Sequence, residues 1–265
     1  NDDPSVRWKM GEDLPPEIGA IRDMRDPTVF GDPDRISSPY YWSHHCDNGG
    51  VHINSGIGNK AAFLMTDGDS FNGQAVAGIG ITKVAKIFYE AQANLLTSAG
   101  DYNDLADALQ QACINLTGTD GITASDCQEV AKAISATEMN QTPPTNIIKN
   151  PGFEDGHVNW TEYSSPFYQI IAQDPFLAAC STNWFAGLGG YNGVTQYIYQ
   201  DMTIPSDATQ AYLRFVYFIF TTEIDGEIHD TMRVEIRSPI NNALLETLDT
   251  LSNLDDTAFS HYLSN

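Results

Sequence analysis

The chain has 265 residues, of which 42% are hydrophobic and 11% aromatic, so it can fill the core of one large domain or of two ordinary ones. Asp and Glu number 35 against 13 Lys and Arg, and the net charge of −22 argues against a large basic face for nucleic acid or anionic membrane. No apolar run reaches the roughly 18 residues that a bilayer-spanning helix requires.

The first 48 residues contain many Pro, Gly and Asp and show no sustained hydrophobic period. This composition predicts extended chain and loops, with one short helix around Glu17–Met24. The chain opens with Asn1 rather than with a signal peptide, so we expect a mature protein or a cut fragment.

The most informative stretch is Asp47–Gly56, which reads Asp-Asn-Gly-Gly-Val-His-Ile-Asn-Ser-Gly. It places an acid, a histidine and two flexible glycines at the entry to a helical pattern. We expect His52 in the first helical turn, where the Asp47 carboxylate compensates an imidazolium beside unpaired backbone N–H groups. The alternative is that Asp47 caps the helix and that His52 is a hydrogen-bonded core histidine.

Four segments with helical spacing follow this stretch. From Val51 the apolar residues recur at helical positions, and this first stripe ends at Asp67–Gly68. The later runs lie at 81–95, Tyr102–Leu116 and Asp126–Ala136. Candidate N-caps for the last two helices are Asp101 or Asn103, and Ser125 or Asp126. Four helices of similar length predict a bundle-like lobe.

A change of pattern marks the second half of the chain. Residues 139–147 contain Gln-Thr-Pro-Pro-Thr, which is typical of a short stiff linker. Beyond it the hydrophobic period becomes two, in runs at Tyr197–Met202, Ala211–Phe220 and Met232–Ile236. The sequence therefore predicts a multidomain protein, with a mainly α-helical lobe at 1–138 followed by an all-β sandwich at 148–265.

Several motifs occur in an order that resembles one enzyme family. They are Trp8–Asp13, Arg22–Pro27, Gly31–Asp34, Asp47–Ile57, Asn59–Leu64, Val76–Gly80 and Lys86–Tyr89. In this order they resemble the C-terminal helical half of thermolysin-like (bacillolysin or neutral protease) zinc metallopeptidases. The resemblance covers about the first 138 residues, and it implies part of a secreted metalloendopeptidase that acts on proteins or peptides.

The resemblance implies roles for five residues. His52 would donate a hydrogen bond to the oxyanion of the tetrahedral intermediate, and Asp47 would orient its imidazole and favour the protonated form. Arg22 would bind the substrate carbonyl just beyond the scissile bond. Ile21 would line the pocket for an apolar side chain on the leaving side, and Asn48 would also contact substrate.

Two other interpretations compete with this one. A hydrolase triad of Ser55, His52 and Asp47 is disfavoured, because Ser55 follows His52 by only three residues and no G-x-S-x-G elbow is present. The stronger competitor is a non-catalytic fragment whose β module docks on polysaccharide or protein. The aromatics that would form a sugar platform, or instead the core of the sandwich, are Trp160, Trp184, Tyr191, Tyr197 and Tyr199.

Zinc in this family is held by an H-E-x-x-H helix and a downstream glutamate. The six histidines include no pair at that helical spacing; they are His44, His45, His52, His157, His229 and His261. We therefore expect no zinc ligand in this chain, an N-terminal zinc-bearing half as its partner, and no activity of the chain alone.

Calcium is a second metal that resemblance suggests. Relatives place acids around Trp8, but here Arg7 and Lys9 flank it and only Glu12 persists, so at most one calcium ion is expected. The segment Ile148–Glu154, with the later Trp160, resembles the start of jelly-roll modules of the carbohydrate-binding type. Such modules hold calcium near their first strand, which implicates Glu154. Their closing strands are not visible in the sequence, so we expect a module cut short.

The four cysteines divide into two pairs with different expectations. Cys113 and Cys127 flank a Gly-, Thr- and Asp-rich loop between two helices, and a disulfide there fits both the family and an oxidising, extracellular setting. Cys46 and Cys180 lie in different predicted domains, so we expect them to be free or paired outside this chain.

Overall fold

The computed structural model describes residues 6–15, 19–43, 46–173, 184–223, 225–255 and 257–264, and for Cys46 and 257–264 the backbone alone. The chain divides into two compact units. The helical unit comprises 1–43 and 47–145, and the β-rich unit comprises 44–46 and 146–265. The division at 145/146 falls inside the Pro-rich stretch.

The helical unit begins with irregular chain and continues with four main helices. Two short strands, β1 (Lys9–Met10) and β2 (Arg22–Asp23), pair antiparallel before a 3-10 helix at Pro27–Phe30 and a short turn, α1 (Cys46–Gly50). The following elements are α2 (Ser55–Asp67), the hairpin of β3 (Gly68–Phe71) and β4 (Gln74–Ala77), α3 (Ile81–Glu90), a π-helical turn (Ala91–Leu95), α4 (Tyr102–Leu116) and α5 (Ala124–Thr137).

The helices share one apolar core, which confirms the predicted helical stripe. Its fully buried members include Ile57, Ala61, Leu64 and Met65 of α2, Ile87 of α3, Leu109 and Ala112 of α4, and Val130 and Ala133 of α5. Burying a Leu or Ile side chain contributes about 1.5–3 kcal/mol relative to leaving it exposed. Met139, beyond the end of α5, is buried in the same core.

Two expectations about the helices were wrong. Residues 19–24 form no helix, because Ile21 N–H donates to the Met10 carbonyl at 2.9 Å and Arg22 pairs with Met10 in the β1–β2 ladder. Residues 16–18 of that expected helix lie outside the described part of the chain. The first long helix begins at Ser55 rather than at Val51, because the preceding residues form a hydrogen-bonded turn.

The N-caps of α4 and α5 are reciprocal capping boxes. Asp101 caps α4 as one of the two expected candidates, together with Asp104. For α5 both candidates were wrong, because Thr123 is the cap and Asp126 is its partner three residues on. The Asp126 carboxylate accepts the Thr123 N–H at 2.7 Å and the Lys83 ammonium at 2.8 Å, so it ties α3 to the start of α5.

The disulfide between Cys113 and Cys127 is present, with a Cα–Cα distance of 5.6 Å, and it joins α4 to α5. Cys180 lies outside the described residues, so the expectation for Cys46 and Cys180 stays a prediction.

The β-rich unit consists of two-stranded antiparallel sheets in the described residues. Its pairs are β5 (Thr161–Ser165) with β8 (Thr195–Tyr199), β6 (Ile171–Gln173) with β7 (Trp184–Ala186), β9 (Leu213–Ile219) with β12 (Thr257–Ser264), and β10 (Thr231–Arg237) with β11 (Leu244–Ser252). Strands therefore occur in all three runs with period two. Among the described side chains of this unit, the buried apolar ones are Ile170, Ile171 and Leu251.

Among the helices that the structure describes, none has both the length and the apolar character needed to cross a membrane.

Candidate active site

Residues 47–54, the His52 turn, fold an aspartate onto a histidine. Asp47 and Asn48 have φ angles of 56° and 50°, in the left-handed region, and the two glycines after them also have positive φ. This reversal brings the Asp47 carboxylate to the backbone N–H groups of His52 at 2.9 Å and Ile53 at 3.3 Å, and to His52 Nδ1 at 2.5 Å. His52 thus lies in the turn before α2, not in its first helical turn as expected.

The electrostatics of the pair leave one ring nitrogen available. Burial raises the pKa of the Asp47 carboxyl, but the hydrogen bonds from His52 and Ile53 outweigh it and hold that pKa below its ordinary value. The His52 side chain is 75% exposed, and no described residue makes a hydrogen bond with its Nε2. An imidazolium in this position donates one proton to Asp47 and presents the other to solvent.

A buried amide fixes the far end of the His52 turn. The Asn54 side chain accepts from the Trp42 N–H and donates to the Trp42 carbonyl, both at 2.8 Å. The Tyr102 hydroxyl, from α4, donates to the Asn54 carbonyl at 2.5 Å, and burial raises the pKa of Tyr102. Sequence reasoning missed Asn54 and Tyr102, because no local signal joins residues 48 positions apart.

Arg22 lies in β2 and is held through a single nitrogen. Its Nη1 donates to Ser55 Oγ at 2.6 Å and to Asp32 Oδ2 at 3.3 Å. The arginine side chain is 20% exposed. Within the described residues, Nε and Nη2 make no hydrogen bond, so the three N–H donors on these two nitrogens remain available.

Ser55 contacts the backbone of His52 instead of its ring. Its hydroxyl donates to the His52 carbonyl at 2.6 Å and accepts from Arg22. A nucleophilic serine would direct its proton to the imidazole, so this geometry argues against the hydrolase triad that includes Asp47. Asp32 and Ser55 are the contacts of Arg22 that sequence reasoning missed.

Lys60 supports the segment that follows Arg22. Its Nζ donates to the Arg25 carbonyl at 2.8 Å and lies over the rings of Phe63 and Phe71, 5.1 and 4.4 Å from their centroids. Burial lowers the pKa of this ammonium group. The buried lysine therefore supports the segment after Arg22 by a hydrogen bond to its backbone. No sequence pattern predicted this contact.

The remaining expected site residues lie on the surface. Ile21 is half exposed beside Arg22, and Asn48 is exposed within the His52 turn. Glu12 is exposed in the turn after β1, and Glu154 is partly buried in a loop of the β-rich unit. Among the described residues, no group of three or more His, Cys, Asp or Glu side chains is arranged to hold a metal ion.

Of the expected aromatic platform in the β-rich unit, Trp160 lies in different surroundings from Tyr197 and Tyr199. Trp160 is partly buried and donates to the Asn150 carbonyl at 2.8 Å, as a core residue would. Tyr197 and Tyr199 share the exposed side of the antiparallel β5–β8 pair with Tyr163, which the expected platform did not include, and Tyr163 stacks on Tyr197 with a centroid distance of 4.7 Å. We call this group, Tyr163, Tyr197 and Tyr199, the tyrosine face.

In sequence, the first half of the chain is similar to known metallopeptidases. Residues 1–139 match the family described as "Thermolysin metallopeptidase, alpha-helical domain". A zinc metalloproteinase of Renibacterium salmoninarum is 43% identical over 148 residues, which is 51% of this chain and 26% of that protein. A bacillolysin of Bacillus caldolyticus and a thermolysin of Alicyclobacillus acidocaldarius are each 42% identical over 132 residues, 49% of this chain and 23% of each relative. The chain thus spans about a quarter of the length of these relatives.

Proposed function

The chain belongs to the thermolysin metallopeptidase family through its alpha-helical domain, and we propose that it is part of a secreted zinc-dependent metalloendopeptidase. In this proposal the helical unit supplies one wall of the substrate cleft, which binds the transition state. The acidic composition and the disulfide of the helical unit support an extracellular setting.

The Asp47–His52 pair is the observation that carries the proposal. Attack on a peptide carbonyl develops negative charge on its oxygen, and a positioned donor to that oxygen contributes about 3 kcal/mol of transition-state stabilisation. His52 Nε2 is exposed and without a described partner, whereas Nδ1 is fixed by Asp47. The ring can therefore donate to the oxyanion without first having to reorganise.

Arg22 would bind the substrate beside the reacting bond. Its two unengaged nitrogens can donate to the carbonyl that follows the scissile bond, while Nη1 stays on Ser55. The half-exposed Ile21 offers apolar contact to the substrate side chain on the leaving side, and the exposed Asn48 offers an amide to the substrate backbone.

The sequence contains no H-E-x-x-H motif, so in this proposal the zinc ligands lie outside this chain, in an N-terminal half that acts as its partner. When bound there, zinc would supply Lewis-acid activation of the attacking water. Calcium binding by Glu12 or Glu154 would likewise need ligands beyond the described residues.

Kinetics of the full-length protein that contains this chain test the proposal. We expect His52→Ala to lower kcat by about 10²–10³-fold, as removal of an oxyanion donor does. The zinc content should not change, because His52 is not a ligand. An equal loss of metal would contradict the oxyanion role.

The chain offers a matched control in His229→Ala. His229 is also exposed and pairs with an aspartate, Asp225, at 2.9 Å, but it lies in the β-rich unit. Its replacement should leave kcat unchanged. The 265-residue chain alone should show no chelator-sensitive peptidase activity.

The tyrosine face favours a second, non-catalytic function. We propose that the β-rich unit is a jelly-roll accessory module that binds a neutral polysaccharide. Tyr163, Tyr197 and Tyr199 are each exposed by more than 40%, and Thr161, Ser165 and Thr195 flank them on the same side. Flat aromatic rings with neighbouring hydroxyls suit the apolar faces and hydroxyls of sugar rings.

Sedimentation with insoluble cellulose or chitin tests this second function. We expect the chain to co-sediment and Tyr197→Ala to weaken binding by about tenfold, the size of a lost aromatic contact. Tyr89→Ala is the control, since Tyr89 is exposed on α3 of the helical unit. Equal losses from both substitutions would contradict a role of the tyrosine face.

A further inference from the structure

We infer that Ser55 is a positioning residue, which aligns Arg22 with the His52 turn through one shared hydroxyl. The inference rests on the proposed function, since it concerns how the substrate-binding arginine is oriented. It is carried by the contacts of Ser55 and its neighbours.

The hydroxyl of Ser55 donates one hydrogen bond and accepts another, so its orientation is fixed. Its single proton goes to the His52 carbonyl at 2.6 Å, so a lone pair faces Arg22 Nη1 at 2.6 Å. The positive charge polarises the hydroxyl and strengthens its donation to the carbonyl. Ser55 thus links a strand residue to the His52 turn across 33 positions of sequence.

Asp32 alone would hold the arginine less firmly. Its Oδ2 lies 3.3 Å from Nη1, longer than the roughly 2.7–2.9 Å of a good charge-assisted hydrogen bond. The serine contact at 2.6 Å is the shorter of the two. Because a free arginine side chain has many rotamers, the loss of this contact would let Arg22 sample several orientations.

Helix capping does not explain the serine. Asn54, at the N-cap of α2, makes no capping hydrogen bond with its side chain, and within the described residues Ser55 Oγ accepts from Arg22 rather than from a helix amide. The hydroxyl serves the tertiary contact instead.

Gly56 keeps these groups close to one another. A Cβ at this position would lie 2.4 Å from the Pro33 carbonyl oxygen and 2.9 Å from Asp32 Cβ. Only glycine therefore lets the start of α2 pack directly on the loop that carries Asp32. The Ser55 hydroxyl is placed by backbone packing and not by its own flexibility.

Kinetics of the full-length protein test this role, with a blocked dipeptide amide that has Gly before and Leu after the scissile bond. Ser55→Ala should raise KM by roughly tenfold, the size of a lost charge-assisted hydrogen bond, with kcat within about twofold. Arg22→Ala should raise KM at least as much. Ser55→Ala should add nothing in the Arg22→Ala background, because the contact is already gone.

Two variants separate positioning from general stability. Ser55→Thr keeps the hydroxyl and should restore KM. Ser135→Ala removes a hydroxyl that donates to a helix carbonyl at 3.0 Å without a cationic partner, and it should leave KM unchanged. An undiminished effect of Ser55→Ala without Arg22, or an unchanged KM in the single variant, would overturn the inference.

A spectroscopic readout on the 265-residue chain needs no activity. Restricted rotation of the Arg22 guanidinium should give separate Nη resonances in nitrogen-15 spectra, and Ser55→Ala should average them. Averaged resonances already in the unmodified chain would contradict the inference. An inactive full-length protein with separate resonances would instead refute the proposed function and leave the alignment of Arg22 intact.

Discussion

The helical unit and the β-rich unit differ in how far they bury their apolar side chains. The helical unit buries residues from four helices in one shared core and joins distant elements through Asp126, Asn54 and a disulfide. In its described residues the β-rich unit has four two-stranded sheets and leaves side chains such as Phe220 and Ile240 exposed. Isolated two-stranded hairpins are marginally stable in water, so local stability should differ strongly between the units.

The comparison also bears on function. A hydrogen-bond donor is held in place best when it lies on rigid elements of the fold. The His52 turn is joined to the helical core because α2 follows it directly and because Tyr102 of α4 donates to the Asn54 carbonyl. The tyrosine face lies on a two-stranded sheet, and stacking of a ligand on flat aromatic rings requires less exact placement than donation to one atom. The two proposed functions therefore fall on the parts of the chain whose packing suits them.

The largest expected effect is the loss of a core side chain. Leu109→Ala should destabilise the helical unit by about 2–5 kcal/mol, because the fully buried leucine leaves a cavity. Tyr197→Ala in the β-rich unit should cost about 1 kcal/mol or less, since that ring is half exposed and its main aromatic contact is Tyr163. Segment-resolved hydrogen exchange would measure both. Similar losses would mean that the tyrosine face is buried in solution.

The second effect concerns the disulfide. Replacing both Cys113 and Cys127 by Ala should lower the stability of the helical unit by about 3 kcal/mol, as estimated for a closed loop of about 15 residues. Hydrogen exchange should rise in α4 and α5 and stay constant in the β10–β11 hairpin. Increased exchange in that hairpin as well would show that the two units unfold together, and the comparison would then fail.

The smallest expected effect within the helical unit is that of Asp126→Asn, and it should depend on pH. Burial raises the pKa of Asp126, but hydrogen bonds from Lys83 and Thr123 outweigh it and lower that pKa below 3.8. The carboxylate therefore stabilises the fold above about pH 4, and this contribution disappears as the pH falls through the lowered value. We expect a loss of about 1–2 kcal/mol at neutral pH from the weakened cap.

Thermal unfolding followed across pH would check this prediction. The difference between the Asp126→Asn variant and the unmodified chain should shrink in acid. Asp107→Asn, on the exposed side of α4, is the control and should change little at any pH. A difference that stays constant with pH would show that the carboxylate charge is not the cause.

Long apolar periods made the helices predictable from the sequence. The bounds of α4 came out as Tyr102–Leu116 because the stripe and its cap agree. The start of α2 was misplaced, because a turn with positive φ at Asp47 also spaces residues as a helix entry would. The short strand at Arg22–Asp23 was missed, because its pairing with Lys9–Met10 is set by tertiary contacts and not by local propensity.

The site was predictable only where its residues are neighbours in sequence. Asp47 and His52, five positions apart, were expected to pair, and the structure joins them. The contact of Arg22 with Ser55 spans 33 positions and depends on how α2 packs against the preceding loop. Such a contact depends on the tertiary fold, so hydrophobic periodicity and composition do not predict it.

The positive φ angles from Asp47 to Gly50 restrict which residues can replace those present in the His52 turn. Ordinary L residues pay about 1–2 kcal/mol for each left-handed position, with Asn and Asp the best tolerated after Gly. At Gly50 a new Cβ would also lie 2.8 Å from both Asn54 Nδ2 and Trp42 Cβ. Variation at positions 47–49 should therefore be confined to Gly, Asn and Asp, and position 50 should accept only Gly, so selection here acts on the backbone conformation.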